Sequence, residues 1–279
     1  RLSLPEAVAE FRTLLDDSIR LRLRSDVKVG TCLSGGLDSS ATSALASGQY
    51  RAASGQRFTG VHAKSSESRT DESAWARRVA DHADIDLAVV EPSTDDFVAT
   101  VDEVVYTQEE PFGSPSMFMG WHVFREARAR DCRVMLNGQG GDEVLLGYER
   151  YYAAILRAVP RTRFLREAWL QARNSRLGFA ELLQFYAYFT NADLRIRRLK
   201  GRSRLKAHVR DGHDFTYVRR SAESFRTVED LQIFEICTLQ LPHLLRYEDR
   251  NSMRHSIETR LPFLDYRLVE AAVGMPWNY

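Results

Sequence analysis

Apolar residues recur at Leu4, Val8, Phe11, Leu15 and Ile19 with charges on the other face, and this spacing predicts an amphipathic helix over residues 4–24. The pattern then changes period. Apolar, largely β-branched stretches over residues 27–33, 58–63, 86–90 and 133–137 predict short strands, with helical spacing from about residue 39 and over 72–82, 94–106 and 117–131. Strands alternating with helices of this length predict a parallel sheet covered on both faces. Beyond Asp142 the strand signals stop. Residues 151–199 and 227–252 read as helices, and the basic, polar stretch 200–220 between them reads as a loop or mobile insertion. The expected fold is α/β: a doubly wound, mostly parallel sheet in residues 1–150, then a mostly helical portion in residues 151–279, with ligands at the carboxyl ends of the strands.

Composition narrows the partners. At 279 residues the chain has room for a sizeable core, and its 39 basic and 38 acidic residues nearly cancel. No whole-molecule field points to nucleic acid or a membrane surface, so a small substrate is the default. Four basic residues are lysines (Lys28, Lys64, Lys200, Lys206), which leaves few amines but many guanidiniums for carboxylate and phosphate pairing. Cys32, Cys132 and Cys237 are odd in number, far apart and outside any metal-ligand spacing, a reduced-thiol usage that predicts a cytoplasmic location. No apolar run approaches the length of a membrane span. The chain begins without Met, and a fragment of a longer protein is expected.

Candidate chemistry begins at VGTCLSGGLDSSATSALAS, residues 29–47. A strand there ends at Ser34-Gly35-Gly36, and a helix opens at Asp38-Ser39-Ser40. Glycines let backbone approach a ligand, and successive amides at a helix N-terminus form an anion nest. Each helix-end contact contributes only about 0.3–1 kcal/mol, so several donors must converge, and Ser34, Ser39 and Ser40 can add hydroxyls. Asp38 repels a phosphate unless a cation such as magnesium lies between. The competing reading is a plain turn with Asp38 as helix N-cap. A Walker loop is excluded, because its Gly-Lys-Ser/Thr ending is missing.

The stretch VMLNGQGGDEVLLGYERYY, residues 134–152, repeats the grammar of strand, glycine turn and acidic helix start. Gly138, Gly140 and Gly141 free its backbone, and Asp142 and Glu143 are placed to hold the same metal as Asp38. An acidic N-cap is the alternative. A third stretch, residues 244–272, crowds Arg246, Glu248, Asp249, Arg250, Arg254, Glu258 and Arg260 among buried-type apolar residues. It reads as a site-facing cluster, or as a solvated, salt-bridged helix.

Residues 34–39 resemble the pyrophosphate loop of the ATP pyrophosphatases, and with the two later stretches the chain is similar to the synthetase domain of glutamine-hydrolysing asparagine synthetases. The resemblance implies an adenine nucleotide alpha hydrolase-like fold that uses ATP and Mg2+ to adenylate a side-chain carboxylate, releases pyrophosphate and lets ammonia displace AMP. It implies nucleotide contacts from Leu33, Val61, Asn137 and Gly138, a pyrophosphate cradle of Ser34, Gly35, Gly36, Asp38 and Ser39, and magnesium on Asp38 and Asp142. Gln139, by its place in that resemblance, and Glu248, Asp249 and Arg250, from the site-facing charged cluster, are the catalytic candidates. Asp71-Glu72 resembles an acidic pair of relatives, with N-capping of a helix as the alternative. The implied partners are ATP, an acid such as aspartate, ammonia from glutamine and a glutaminase domain; a homodimer is compatible, and nucleic acid and membranes are not expected.

The match departs at three points. Relatives carry a Glu where this chain has Gln139, and an amide orients a nucleophile but cannot take its proton at neutral pH. The glutaminase half, with its leading Cys nucleophile, lies outside these residues. The family's catalytic lysine lies beyond the matched segment, and Lys28, Lys64, Lys200 and Lys206 do not match it by position. Three rivals stay open: a related ligase with another acid or amine, an RNA-modifying thiolase of the same superfamily, and a nucleotide-binding module without turnover.

Overall fold

The computed structural model describes residues 2–279. In chain order it contains α1 Leu4–Arg22, β1 Val29–Cys32, α2 Leu37–Ser54, β2 Phe58–Ala63, α3 Ser73–Ala83, β3 Ile85–Val90, α4 Thr94–Gln108, α5 Pro115–Ala129, β4 Val134–Leu136 and a short α6 Gly141–Val144. A helical stretch follows: α7 Tyr151–Ala158, α8 Phe164–Asn174, α9 Phe179–Thr190, α10 Ala192–Arg202, α11 Ala207–Asp211, α12 Thr216–Glu223 and α13 Val228–Cys237. The chain closes with α14 Gln240–Arg254, β5 Glu258–Arg260 and α15 Tyr266–Gly274. These elements form two compact units. One joins the chain up to Asp142 with Leu241–Met275, and the other joins Glu143–Gln240 with Pro276–Tyr279.

The first unit is a five-stranded sheet in the order β3-β2-β1-β4-β5, every neighbouring pair parallel. The three inner strands β2, β1 and β4 are buried along almost their whole length because both faces are covered. On one face Val61, Ala88 and Met135 pack against Phe124 and Ala127 of α5. On the other, Leu33 and Ile85 pack against Ala76 and Ala80 of α3. The expected α/β, doubly wound sheet is therefore present. Local sequence supports the helix starts: Ser3 and Glu6 form a capping box at α1, and Ser93 and Asp96 another at α4.

Two expectations are corrected. A fifth strand lies beyond Asp142, where none was expected: Glu258-Thr259-Arg260 is polar and three residues long, so it carries no hydrophobic signal, and its pairing with β4 defines it. The stretch 200–220, expected as a loop or mobile insertion, holds the end of α10, all of α11 and part of α12. Its helices expose mostly arginine-rich polar faces, which hides helical periodicity from a hydropathy pattern.

The second unit packs Tyr151, Ala153, Ala154, Phe225, Val228 and Leu231 into one core. Beside it Arg150 grips the fully buried Glu235 at 2.8 and 2.9 Å while lying 4.1 Å above the Tyr148 ring. Burial pushes the Glu235 carboxyl up to about 7, against the pull of Arg150. Among the described residues no helix is long and apolar enough to cross a membrane.

In the first unit the rings of Phe118, His122, Trp121 and His255 stack edge to face at 4.6–5.0 Å. Burial, aided by Arg125 for His122 and Arg254 for His255, lowers both imidazoles from the ordinary 6.5 to about 4. The unfolded chain takes up these protons first. Their stabilising contribution is complete above about pH 6.5 and is lost as pH falls toward 4. Glu235 and Glu248, both pushed up to about 7, act with the opposite sign, so the histidine part must be isolated by mutation. His122→Phe is expected to lose less stability than the parent between pH 6.5 and 4, as read by urea unfolding across that range.

Candidate active site

The sheet order sets β1 beside β4, while the chain leaves β1 toward β2 and β3 on one side and β4 pairs with β5 on the other. A crevice at such a reversal, at the carboxyl ends of the strands, is where open α/β sheets bind ligands. Both glycine turns lie there.

After β1, the Leu33 amide still bonds the Val61 carbonyl at 2.9 Å, and the chain then turns sharply at Gly35, whose φ is +95°. A Cβ at Gly35 would lie 2.8 Å from the Glu72 carbonyl oxygen, so both space and conformation demand glycine. The helix begins at Leu37, two residues before the expected Ser39, with Gly36 as an N-cap that has no side chain to cover the leading amides. Ser39 donates to the Gly36 carbonyl at 3.1 Å, so the Ser34 hydroxyl must donate in the 2.8 Å contact between the two serines.

After β4, the Asn137 side chain accepts from the Gly138 amide at 2.7 Å and the turn closes where the Gly141 amide meets the Gly138 carbonyl at 3.3 Å. This turn rests directly on the first. A Cβ at Gly138 would lie 2.7 Å from the Ser39 nitrogen and 2.9 Å from the Asp38 carbonyl carbon; one at Gly141 would lie 2.3 Å from the Asp38 carboxyl carbon. The Asp38 carboxylate is thus seated against the backbone immediately before Asp142. Glu143 is instead buried within the second unit, where the Tyr148 hydroxyl donates to it at 2.6 Å.

Leu33, Ser34 and Val61 line a cavity of about 790 Å³, with Phe97, Phe118 and Met119 also on its wall and several serines at its rim. Asn137, Gln139 and Glu248 line a smaller one of about 100 Å³. Glu248 is 7 % exposed, and burial pushes its carboxyl up to about 7; Asn137 and Thr259 draw it part of the way back. The neighbouring candidates are placed differently: Asp249 is exposed, and Arg250 bonds the Gln108 carbonyl and Glu109 at the end of α4. Arg246 pairs with Glu110 and Arg254 with Glu103, so these three arginines serve a helix–helix contact.

Asp71 accepts from the Ser73 amide at 3.0 Å and from its hydroxyl, which pulls its carboxyl below the usual range and anchors the start of α3. The sequence did not single out His62. It is buried, with Nδ1 2.9 Å from the Leu33 carbonyl and Nε2 3.1 Å from the Ser73 hydroxyl, and so ties α3 to the first glycine turn. Its signal was to be the one titratable residue in the otherwise uncharged strand FTGVHA.

Residues 10–279 match the family model for asparagine synthase. The chain belongs to the asparagine synthase family. It is 29 % identical to a putative glutamine-hydrolysing asparagine synthetase of Mycobacterium tuberculosis, across 96 % of this chain and 42 % of that protein. It is 27 % identical to a glutamine-hydrolysing asparagine synthetase of Bacillus subtilis, across 99 % of this chain and 44 % of the relative. An amidase of Penicillium rubens is 24 % identical across 97 % and 46 %. The chain spans less than half the length of these asparagine synthase relatives.

Proposed function

We propose that this chain is the ATP-dependent, amide-forming part of a ligase: it adenylates a carboxylate, aspartate in the first instance, releases pyrophosphate and passes the acyl group to ammonia. One observation carries the reading: two glycine turns at the sheet's reversal point meet on Asp38, leaving amides of a helix N-terminus for the phosphates. In this reading Leu33 and Val61 form the apolar wall beside the base, with Asn137 and Gly138 at its polar edge. Ser34, Gly35, Gly36 and Ser39 hold the pyrophosphate where its charge develops. Gln139 orients the nucleophile. Asp249 and Arg250 act at most through α14, given where their side chains lie.

The donor set suits magnesium. Among the described residues there is no group of three His, Cys, Asp or Glu side chains able to hold a metal, and Mg2+ asks for less: one or two carboxylates, with phosphate oxygens and water completing its shell. Asp38 and Asp142 supply that pair, and the bound ion would neutralise phosphate charge. Ammonia would come from a glutaminase domain of the whole protein.

Gln139 favours a second reading, in which the acid or the amine differs from those of asparagine synthesis while the adenylating loop is unchanged. ATP–pyrophosphate exchange, run on the full natural protein with aspartate and a panel of other amino acids, tests both. Exchange that requires Mg2+ and aspartate is the expected result. Exchange with another acid only moves the assignment to the second reading, and no exchange with any acid overturns the ligase.

A further inference from the structure

Both oxygens of Glu248 are buried without a hydrogen-bond partner of ordinary geometry, and the side chain lines the same cavity of about 100 Å³ as Gln139. An unsatisfied buried carboxylate is costly, and none of the groups that act on it (Asn137, Thr259 and Asp249) is a cation. The contrast with Glu235 is direct, since Arg150 holds that carboxylate with two short contacts. The remaining polar groups around the small cavity are neutral: Ser116, Asn137, Tyr247 and Asn251. Asn251 is already committed, accepting from Gln108 at 2.7 Å and donating to the Met117 carbonyl at 2.8 Å. Glu248 is therefore the one carboxylate on the cavity wall, and it stands beside the residue that cannot accept a proton.

We propose that Glu248 takes the proton from the attacking amine, and that the small cavity admits ammonia or a very small primary amine to meet the acyl group. The inference rests on the ligase reading above. In the step it describes, the amine nitrogen forms a bond to the acyl carbon, the bond from that carbon to the AMP phosphate oxygen breaks, and AMP leaves with the electron pair. One proton moves from nitrogen to the Glu248 carboxylate. The Gln139 amide oxygen accepts an N–H and aims the lone pair, the role an amide can fill. A carboxyl held near 7 has both forms present at neutral pH, which suits a general base. The charged and titratable neighbours are Asp249, on its own helix, and Cys32, at the end of β1.

The test compares two rates in the full natural protein: ATP–pyrophosphate exchange, and amide or hydroxamate formation from ammonia or hydroxylamine. In Glu248→Gln the ratio of amide formation to exchange is expected to fall by roughly 10²–10⁴-fold. With hydroxylamine as the amine and its unprotonated concentration held fixed, that ratio in the parent should rise with pH and level off above about 7, and the variant should lack the rise. Gln139→Glu added to Glu248→Gln should restore part of the ratio, because it returns a carboxylate to the same cavity. Removing a desolvated carboxylate should leave the melting temperature at pH 8 unchanged or higher, which confirms that the variant is folded. An unchanged ratio, or equal losses of both rates, overturns the role of Glu248 alone. Absence of exchange with every acid in the parent overturns the ligase reading and this inference with it.

Discussion

Gly138→Ala is expected to cut acid-dependent ATP–pyrophosphate exchange by about 100-fold or more in a chain that still folds. The added methyl would sit 2.7 Å from the Ser39 nitrogen and 2.9 Å from the Asp38 carbonyl carbon. Both are backbone atoms of the first turn of α2, which is pinned where the Ser40 amide bonds the Gly36 carbonyl at 3.0 Å, so no side chain can swing aside. The two turns must separate by several tenths of an ångström, and donors aimed at one pyrophosphate lose their common focus. Gly48→Ala is the matched control. Gly48 lies exposed within α2 with nothing within 4 Å of a new Cβ, and alanine there should stabilise the helix by about 0.8–1 kcal/mol with exchange unchanged. Exchange assays and circular dichroism on the two variants check both outcomes; exchange at the parent rate in Gly138→Ala would show that the turns need not touch.

Asp38→Asn is expected to raise the magnesium concentration required for exchange by more than the roughly 10–100-fold that loss of an outer-shell partner costs at metal sites. The substitution keeps the shape that packs against Gly141 and removes only the charge, so packing and electrostatics are read apart. A magnesium titration of exchange in parent and variant decides the matter. An unchanged titration curve would take Asp38 out of any metal role.

Most of the sheet was legible because its strands are apolar on both faces. The two glycine turns were legible because positive φ and close backbone approach leave few alternatives to glycine, as at Gly35 and Gly138. What escaped has a common physical cause: its signal is made by partners distant in the chain. The strand at 258–260 exists because β4 supplies hydrogen bonds, and its residues Glu, Thr and Arg say nothing of burial. The charged stretch of α14 could not be divided by sequence into site and scaffold. Arg246, Arg250 and Arg254 find acids around α4 while Glu248, two residues from both Arg246 and Arg250 and so on another face of the helix, lines a cavity. Glu143 looked equivalent to Asp142, and only the fold separates them, through the Tyr148 hydroxyl.

The discontinuity of the first unit bears on how the protein is made. Val134 pairs with Glu258, so during synthesis β4 emerges from the ribosome with one hydrogen-bonding edge bare until the whole helical unit has been translated. An unpaired parallel edge next to buried Met135 and Leu136 is a template for joining other nascent chains. A stop codon placed just before residue 258 should therefore yield an insoluble product with its nucleotide turns already encoded, so that the last short strand governs the yield of soluble protein more than its three residues would suggest.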